Sequence, residues 1–119
     1  MTDGALRGMG VLVTGGGTGI GRACAEALAA DGAVVTICGR TEDRLVDAVD
    51  QIRAGHGGSV HHVVADVTSE VDQERMVEAV RAREEPLAAV IYNAGSNFPI
   101  KFSDVTPEQF EEFWRIGCF

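Results

Sequence analysis

The chain is short of basic residues: Lys and Arg total 10 against 18 Asp and Glu, a formal net charge of -8. A phosphate-backbone binder needs a basic face, so a nucleic-acid partner is not expected. The acidic excess reads as a solubilising surface. No apolar run approaches the roughly 20 residues of a membrane span, so no membrane partner is expected either. The start, Met1-Thr2-Asp3-Gly4, has neither the basic opening nor the apolar stretch of a signal peptide. Cysteine is scarce as well. Cys24, Cys38 and Cys118 are odd in number and widely scattered, without metal-type spacing. Cys24 and Cys38 read as small core residues of a helix and a strand. These absences together lead to an expected reducing, cytoplasmic context.

What is present alternates between two periods. At 119 residues the chain is one domain at most, and long enough for a real core. Gly10-Val11-Leu12-Val13 is a short apolar strand. Ile20, Cys24, Ala27 and Leu28 then recur at helical spacing, closed by Asp31-Gly32. A second strand runs over Ala33–Cys38. Thr41 can cap a helix with Leu45, Val46, Val49 and Ile52 on one face, ended by Gly55 to Gly58. Val60 to Ala65 reads as a third strand. Ser69 can cap a helix bearing Val71, Met76, Val77 and Val80, with Pro86 as its breaker. Leu87 to Tyr92 returns to strand. Thr106-Pro107-Glu108-Gln109 opens a last helix with a capping box and a proline at its first position. That helix carries Phe110, Phe113, Trp114 and Gly117.

The order is β-α-β-α-β-α-β-α, and the strands are apolar nearly throughout. Such strands suit a parallel sheet covered on both faces. Right-handed crossovers then give an α/β fold of Rossmann type, a doubly wound parallel sheet, truncated after the fourth strand and the start of the following helix. Residues 1–119 are expected to form a single domain. The fourth strand would be central in the strand order 3-2-1-4-5-6. Without successors it becomes an apolar edge, a hazard for association.

The chemistry sits in Thr14-Gly15-Gly16-Gly17-Thr18-Gly19-Ile20-Gly21. Gly15 allows a tight turn off the strand, Gly19 lets the backbone approach phosphates, and Gly21 lets the helix pack close to the sheet. The N–H groups of Thr18 to Ile20 then stand at a helix N-terminus, where partial positive charge favours an anion. A glycine cluster alone is a weak signal. The strand before it and the helix after it supply the context of a pyrophosphate cradle.

This spacing, with Thr14 ahead and Ile20 inside, resembles the short-chain dehydrogenase/reductase family. Asp66-Val67 after the third strand matches the family's adenine contact. Asn93-Ala94-Gly95 after the fourth matches its Asn-Ala-Gly motif, and Arg40 ends the second strand ahead of Leu45. The resemblance runs from Val11 to Phe119. It implies cofactor binding at Gly15, Gly17, Thr18, Gly19, Ile20, Arg40, Asp66, Val67, Asn93, Ala94 and Gly95. It implies an oxidoreductase that transfers hydride to or from a carbonyl, alcohol or enoyl substrate. It also implies a homo-oligomer.

Two details refine that picture. Gly39 stands where family members preferring NAD carry an acid, and Arg40, with Arg44 one turn on, can pair with a 2′-phosphate. The pattern favours NADP as cofactor without excluding NAD. The family's acid/base pair is Tyr-x-x-x-Lys, with a Ser and commonly an Asn. The chain has one tyrosine, Tyr92, and one lysine, Lys101, which are not four apart, and Gly117 falls where the Asn should be. Tyr92 reads as a packing residue and Lys101 as a solvated loop residue. The Tyr-x-x-x-Lys pair normally comes some tens of residues beyond Phe119, so no catalytic residue is assigned and this length alone is expected to be inactive.

The alternatives are a non-catalytic NADP-binding module or inactive fragment, and an unrelated doubly wound protein such as a methyltransferase. The Asp66-Val67 and Asn93-Ala94-Gly95 matches speak against the last. Asn97-Phe98-Pro99-Ile100 and the triple glycine give a faint likeness to the dienoyl- and enoyl-CoA reductase branch; the substrate itself stays unknown. His56, His61 and His62 read as surface or edge residues, and no metal site is expected. Glu84-Glu85 and Glu111-Glu112 read as solvated helix faces.

Overall fold

A computed structural model describes residues 4–56, 59–95 and 100–117, with the side chain of His56 left aside. The likeness drawn from Asn97-Phe98-Pro99, the thiol of Cys118 and the end at Phe119 lie outside the described residues. Among the described residues four strands and four helices alternate: β1 Gly10–Thr14, α1 Gly19–Ala30, β2 Val34–Gly39, α2 Glu42–His56, β3 Ser59–Val64, α3 Glu70–Arg81, β4 Leu87–Ile91 and α4 Pro107–Gly117. A short 3₁₀ turn, Phe102–Asp104, precedes α4.

The strands form one parallel sheet in the order β3-β2-β1-β4. β1 pairs with β2 from Gly10 opposite Val34 to Thr14 opposite Cys38, and β2 runs one residue further, to Gly39. The chain's two interior strands are thereby its most buried. Val13, Val35, Ile37 and Cys38 are fully enclosed. One face packs Val11, Val13, Val35, Ile37 and Val60 against α1 and α2. The other packs Leu12, Cys38 and Val63 against Met76 of α3.

Local signals set the helix ends. Gly32, at φ +93°, follows the last turn of α1, a conformation that costs glycine least. The Ser69 hydroxyl accepts the Asp72 N–H at 3.3 Å, capping α3. Thr106 and Gln109 exchange hydrogen bonds at 3.0 and 3.2 Å, closing the capping box of α4.

The buried face of α1 differs from the expected one. Ile20 is 76% exposed and Ala27 is exposed, while Gly21, Ala25 and Ala29 are buried and Cys24 is only half-buried. The helix lies so close to the sheet that the contact stripe takes the smallest residues at i, i+4 and i+8. The larger apolar residues are turned to its flanks. On α2, Leu45, Ala48, Val49 and Ile52 are buried while Val46 is exposed. On α3, Val71 and Val77 are exposed and Met76 carries the contact. β3 starts and ends one residue earlier than expected.

β4 also departs from the expectation of strands covered on both faces. It pairs with β1 alone, and Leu87 and Val90 are 49% and 46% exposed. Tyr92, expected to pack, is exposed just after it.

Candidate functional site

The loop between β1 and α1 is bent by two left-handed glycines, Gly15 at φ +66° and Gly19 at φ +58°. Between them Gly16 lies on Ile37, where a Cβ would come within 2.6 Å of that side chain. Its N–H donates to the Cys38 carbonyl at 3.2 Å. Thr18 is the extended N-cap of α1 and makes no side-chain cap. The helix's first N–H groups, which lack carbonyls one turn earlier, therefore face outward from the loop. Gly19 has open space where a side chain would be.

The loop is tied to the end of the neighbouring strand, β4. Thr14 is fully buried, and its hydroxyl accepts the N–H groups of Asn93 and Ala94, each at 3.0 Å. The Asn93 amide donates to the Gly15 carbonyl at 3.1 Å. Gly21 fits beneath this pair. A Cβ there would collide with the Gly15 carbonyl oxygen.

A cavity of about 270 Å³ opens above these residues. It is lined by Gly15, Gly17 and Thr18 of the loop, by Arg40 and Arg44, by Asp66 and Val67, by Asn93 to Gly95, and by Ile116 of α4. Nine of the eleven residues singled out in the sequence thus meet at one place. Gly19 and Ile20 do not line it; they begin α1 at its border. Arg40 is exposed directly after β2, and α2 begins two residues on, carrying Arg44 on its first turn.

Asp66 is the most closely held acidic group. Its Oδ1 accepts the Thr68 N–H at 2.9 Å and the Thr68 hydroxyl at 2.6 Å. Its own N–H donates to Asp72 Oδ2 at 2.8 Å. The Thr68 hydroxyl, then its N–H, then the charge of Arg40 hold the Asp66 carboxyl below the usual range. Asp72 is likewise held low by the Asp66 N–H and by Arg75. Burial pushes the Cys38 thiol up, so beneath the loop it is an unreactive neutral group.

Thr68, Asp72 and Ile116 were not singled out in the sequence. Asp66-Val67-Thr68 does carry a local signal, since an Asp can bond its own chain two residues on. Ile116 carried none. His61 and His62 are half-buried on edge strand β3, away from the cavity. Among the described residues no group of three His, Cys, Asp or Glu could hold a metal, and no helix is long and apolar enough to cross a membrane.

Comparison with known proteins gives this constellation a setting. The family model described as short chain dehydrogenase matches residues 10–119. A hydroxy-methyl-oxo-hexahydroindene-carboxyl-CoA reductase of Mycobacterium tuberculosis is 36% identical over 115 residues, 96% of this chain and 44% of the relative. The solved structure of a citronellol catabolism dehydrogenase of Pseudomonas aeruginosa superposes with a TM-score of 0.88 at 32% identity, over 98% of this chain and 47% of that one. L-sorbose reductase of Gluconobacter frateurii, solved with NADPH and L-sorbose, gives a TM-score of 0.87 at 28% identity, over 97% and 44%. The chain thus spans a little under half the length of these relatives.

Proposed function

This chain belongs to the short chain dehydrogenase family, and we propose that its residues 1–119 form the dinucleotide-binding domain of an NADP(H)-dependent oxidoreductase. The single observation that carries this reading is the convergence of the glycine loop, Arg40, Asp66 and Asn93 on one cavity. The residues fit such a cofactor on structural grounds. Gly19 leaves open space at the start of α1, where free N–H groups and the helix dipole favour a pyrophosphate. Arg40 and Arg44 line the same cavity as Thr18. They would take a 2′-phosphate, which a planar guanidinium pairs with in a charge-assisted way. Gly39 offers no carboxylate to the 2′-hydroxyl of NAD. Asp66 and Val67 would face the adenine, and Asn93 to Gly95 would face the rest of the cofactor.

When bound, NADPH supplies hydride to an electrophilic carbon, and NADP⁺ accepts it. The chain's own part is to bind and orient. The loop would hold the phosphates, and Thr14 and Asn93 fix the loop. Tyr92 and Lys101 are not four positions apart, so the reading assigns no proton transfer to them. The acid/base step, the carbonyl, alcohol or enoyl substrate, the homo-oligomeric state and a cytoplasmic location belong to the proposal for the whole protein. The NADPH held by L-sorbose reductase supports the choice of cofactor.

Fluorescence titration with NADPH and NADH tests the reading. The chain should bind NADPH more tightly. Arg40→Ala should weaken NADPH binding by about tenfold, the loss of one charge-assisted contact, and NADH binding hardly at all. Equal losses would overturn the assignment to NADP, and no binding of either would overturn the cofactor reading.

A further inference from the structure

Asp66 is held more firmly than the turn after β3 requires. A backbone N–H at position 68 is enough to close an Asx turn on the Asp66 carboxylate. The Thr68 hydroxyl adds a second and shorter bond, 2.6 Å against 2.9 Å, to the same oxygen. The Asp66 backbone is fixed separately through its N–H to Asp72 Oδ2 at 2.8 Å. Among the described residues Asp66 Oδ2 accepts no hydrogen bond.

The surroundings give this arrangement a direction. Two cavities meet at Asp66. The one at the glycine loop is lined by Asp66 but not by Thr68. The second is lined by Asp66, Thr68, Arg40 and residues of α4 from Glu108 to Ile116. Thr68 therefore grips the carboxylate from the second side.

We propose that Thr68 is a positioning residue for base recognition: it saturates Asp66 Oδ1 and presents Oδ2 as the single acceptor for the exocyclic amino group of a 6-aminopurine. The inference rests on the cofactor reading above. An ionised carboxylate only accepts hydrogen bonds, so it suits an amino group and repels a 6-oxo group at the same place. Without the hydroxyl the carboxylate keeps one bond and can rotate, so the discrimination weakens. The hydroxyl also heads the causes that keep Asp66 ionised at low pH.

The test is calorimetric titration with NADP⁺ and its deaminated, hypoxanthine-containing analogue across an acid-to-neutral pH series. Thr68→Val keeps the shape and the N–H but removes the hydroxyl; Thr68→Ala is a second variant if valine perturbs folding, and Thr68→Ser restores the hydroxyl. The parent chain should prefer the amino form by about tenfold, the effect of one hydrogen bond to a charged group. Thr68→Val should reduce that preference to about two- or threefold, by losing affinity for NADP⁺ alone. Its acid limb for NADP⁺ binding should move to higher pH, because the carboxylate loses a bond that favours its charged form. Thr68→Ser should recover both. Parent and hydroxyl-free variants with equal preference and coincident acid limbs would overturn the role of Thr68. A parent chain that binds both cofactors equally would overturn the contact between Asp66 and the base, and this proposal with it, while leaving cofactor binding in place. Failure to bind either would overturn the cofactor reading itself.

Discussion

Gly21→Ala tests the close approach on which the site's geometry depends. A Cβ at position 21 would overlap the Gly15 carbonyl oxygen, come within 2.5 Å of Asn93 Nδ2 and lie 2.9 Å from the Gly15 carbonyl carbon. Two of these atoms are backbone, and the third is held in a hydrogen bond, so none can step aside cheaply. The start of α1 must move off the loop, or Asn93 must let go of Gly15. Overpacking of this kind costs about 1–3 kcal/mol. Loss of the 3.1 Å bond from Asn93 to the Gly15 carbonyl adds about 1 kcal/mol. Alanine in a helix returns about 1 kcal/mol through propensity. The net expectation is a loss of about 1–3 kcal/mol, with weaker cofactor binding because Gly15 and Asn93 line the cavity. Gly55→Ala is the control. It lies within α2, has an ordinary φ and would meet nothing within 4 Å. There alanine should stabilise by about 0.5–1 kcal/mol. Urea unfolding followed by circular dichroism, with NADPH titration on the same samples, reads both effects. A Gly21→Ala chain that unfolds at the parent's urea midpoint and binds NADPH equally well would refute the reasoning.

Thr14→Val should cost about 1–3 kcal/mol in urea unfolding, since it strands the half-buried N–H groups of Asn93 and Ala94; Thr14→Ser should stay near the parent value. His61 gives a pH dependence of opposite sign to a salt-bridged histidine. Burial, then the charges of Arg83 and Arg53, lower its pKa from the usual 6.5. The folded state therefore favours the neutral ring. Its contribution to stability is present above pH 6.5 and is lost as pH falls from there through the lowered folded value. His61→Gln should flatten the stability profile over that window, measured as the urea midpoint against pH, and an unchanged slope would count against it.

The glycine loop was legible because its neighbours agreed with it. An apolar strand before Gly15 and a helical pattern after Gly19 leave few other structures for that stretch. Thr106 and Gln109 were legible for a similar reason, since a capping box is a local pattern with a local partner. The face of α1 was not. Periodicity weighs hydrophobic size, so it selected Ile20, Cys24, Ala27 and Leu28. The contact weighs closeness and selected Gly21, Ala25 and Ala29. The exposure of β4 was equally hidden, because an apolar run states that a strand can be covered and not what covers it. The link from Thr14 to Asn93 spans 79 residues and leaves no local trace in the sequence. Thr68 shows an intermediate case: its spacing from Asp66 suggests a turn, but only the geometry shows the hydroxyl adding a second bond to the oxygen its N–H already holds.

The same hydrogen bonds that hold the sheet together form the cradle, and this couples the two. Thr14 ends β1 and carries the amides that follow β4, while Asn93 carries the carbonyl of the loop's first glycine. β4 pairs only with β1, its register slips between Gly10 and Val11, and its side chains are mostly exposed. It is therefore the strand least secured by packing, yet the loop depends on its C-terminal end. A ligand that grips the loop must favour the state in which Asn93 is docked, so binding energy is shared with the docking of β4. By reciprocity, whatever covers β4 must tighten the loop's hold on that ligand by the same factor. The glycines that shape the loop are local to Gly15–Gly21, but the hydrogen bonds that hold it come from the end of the neighbouring strand β4, 79 residues on.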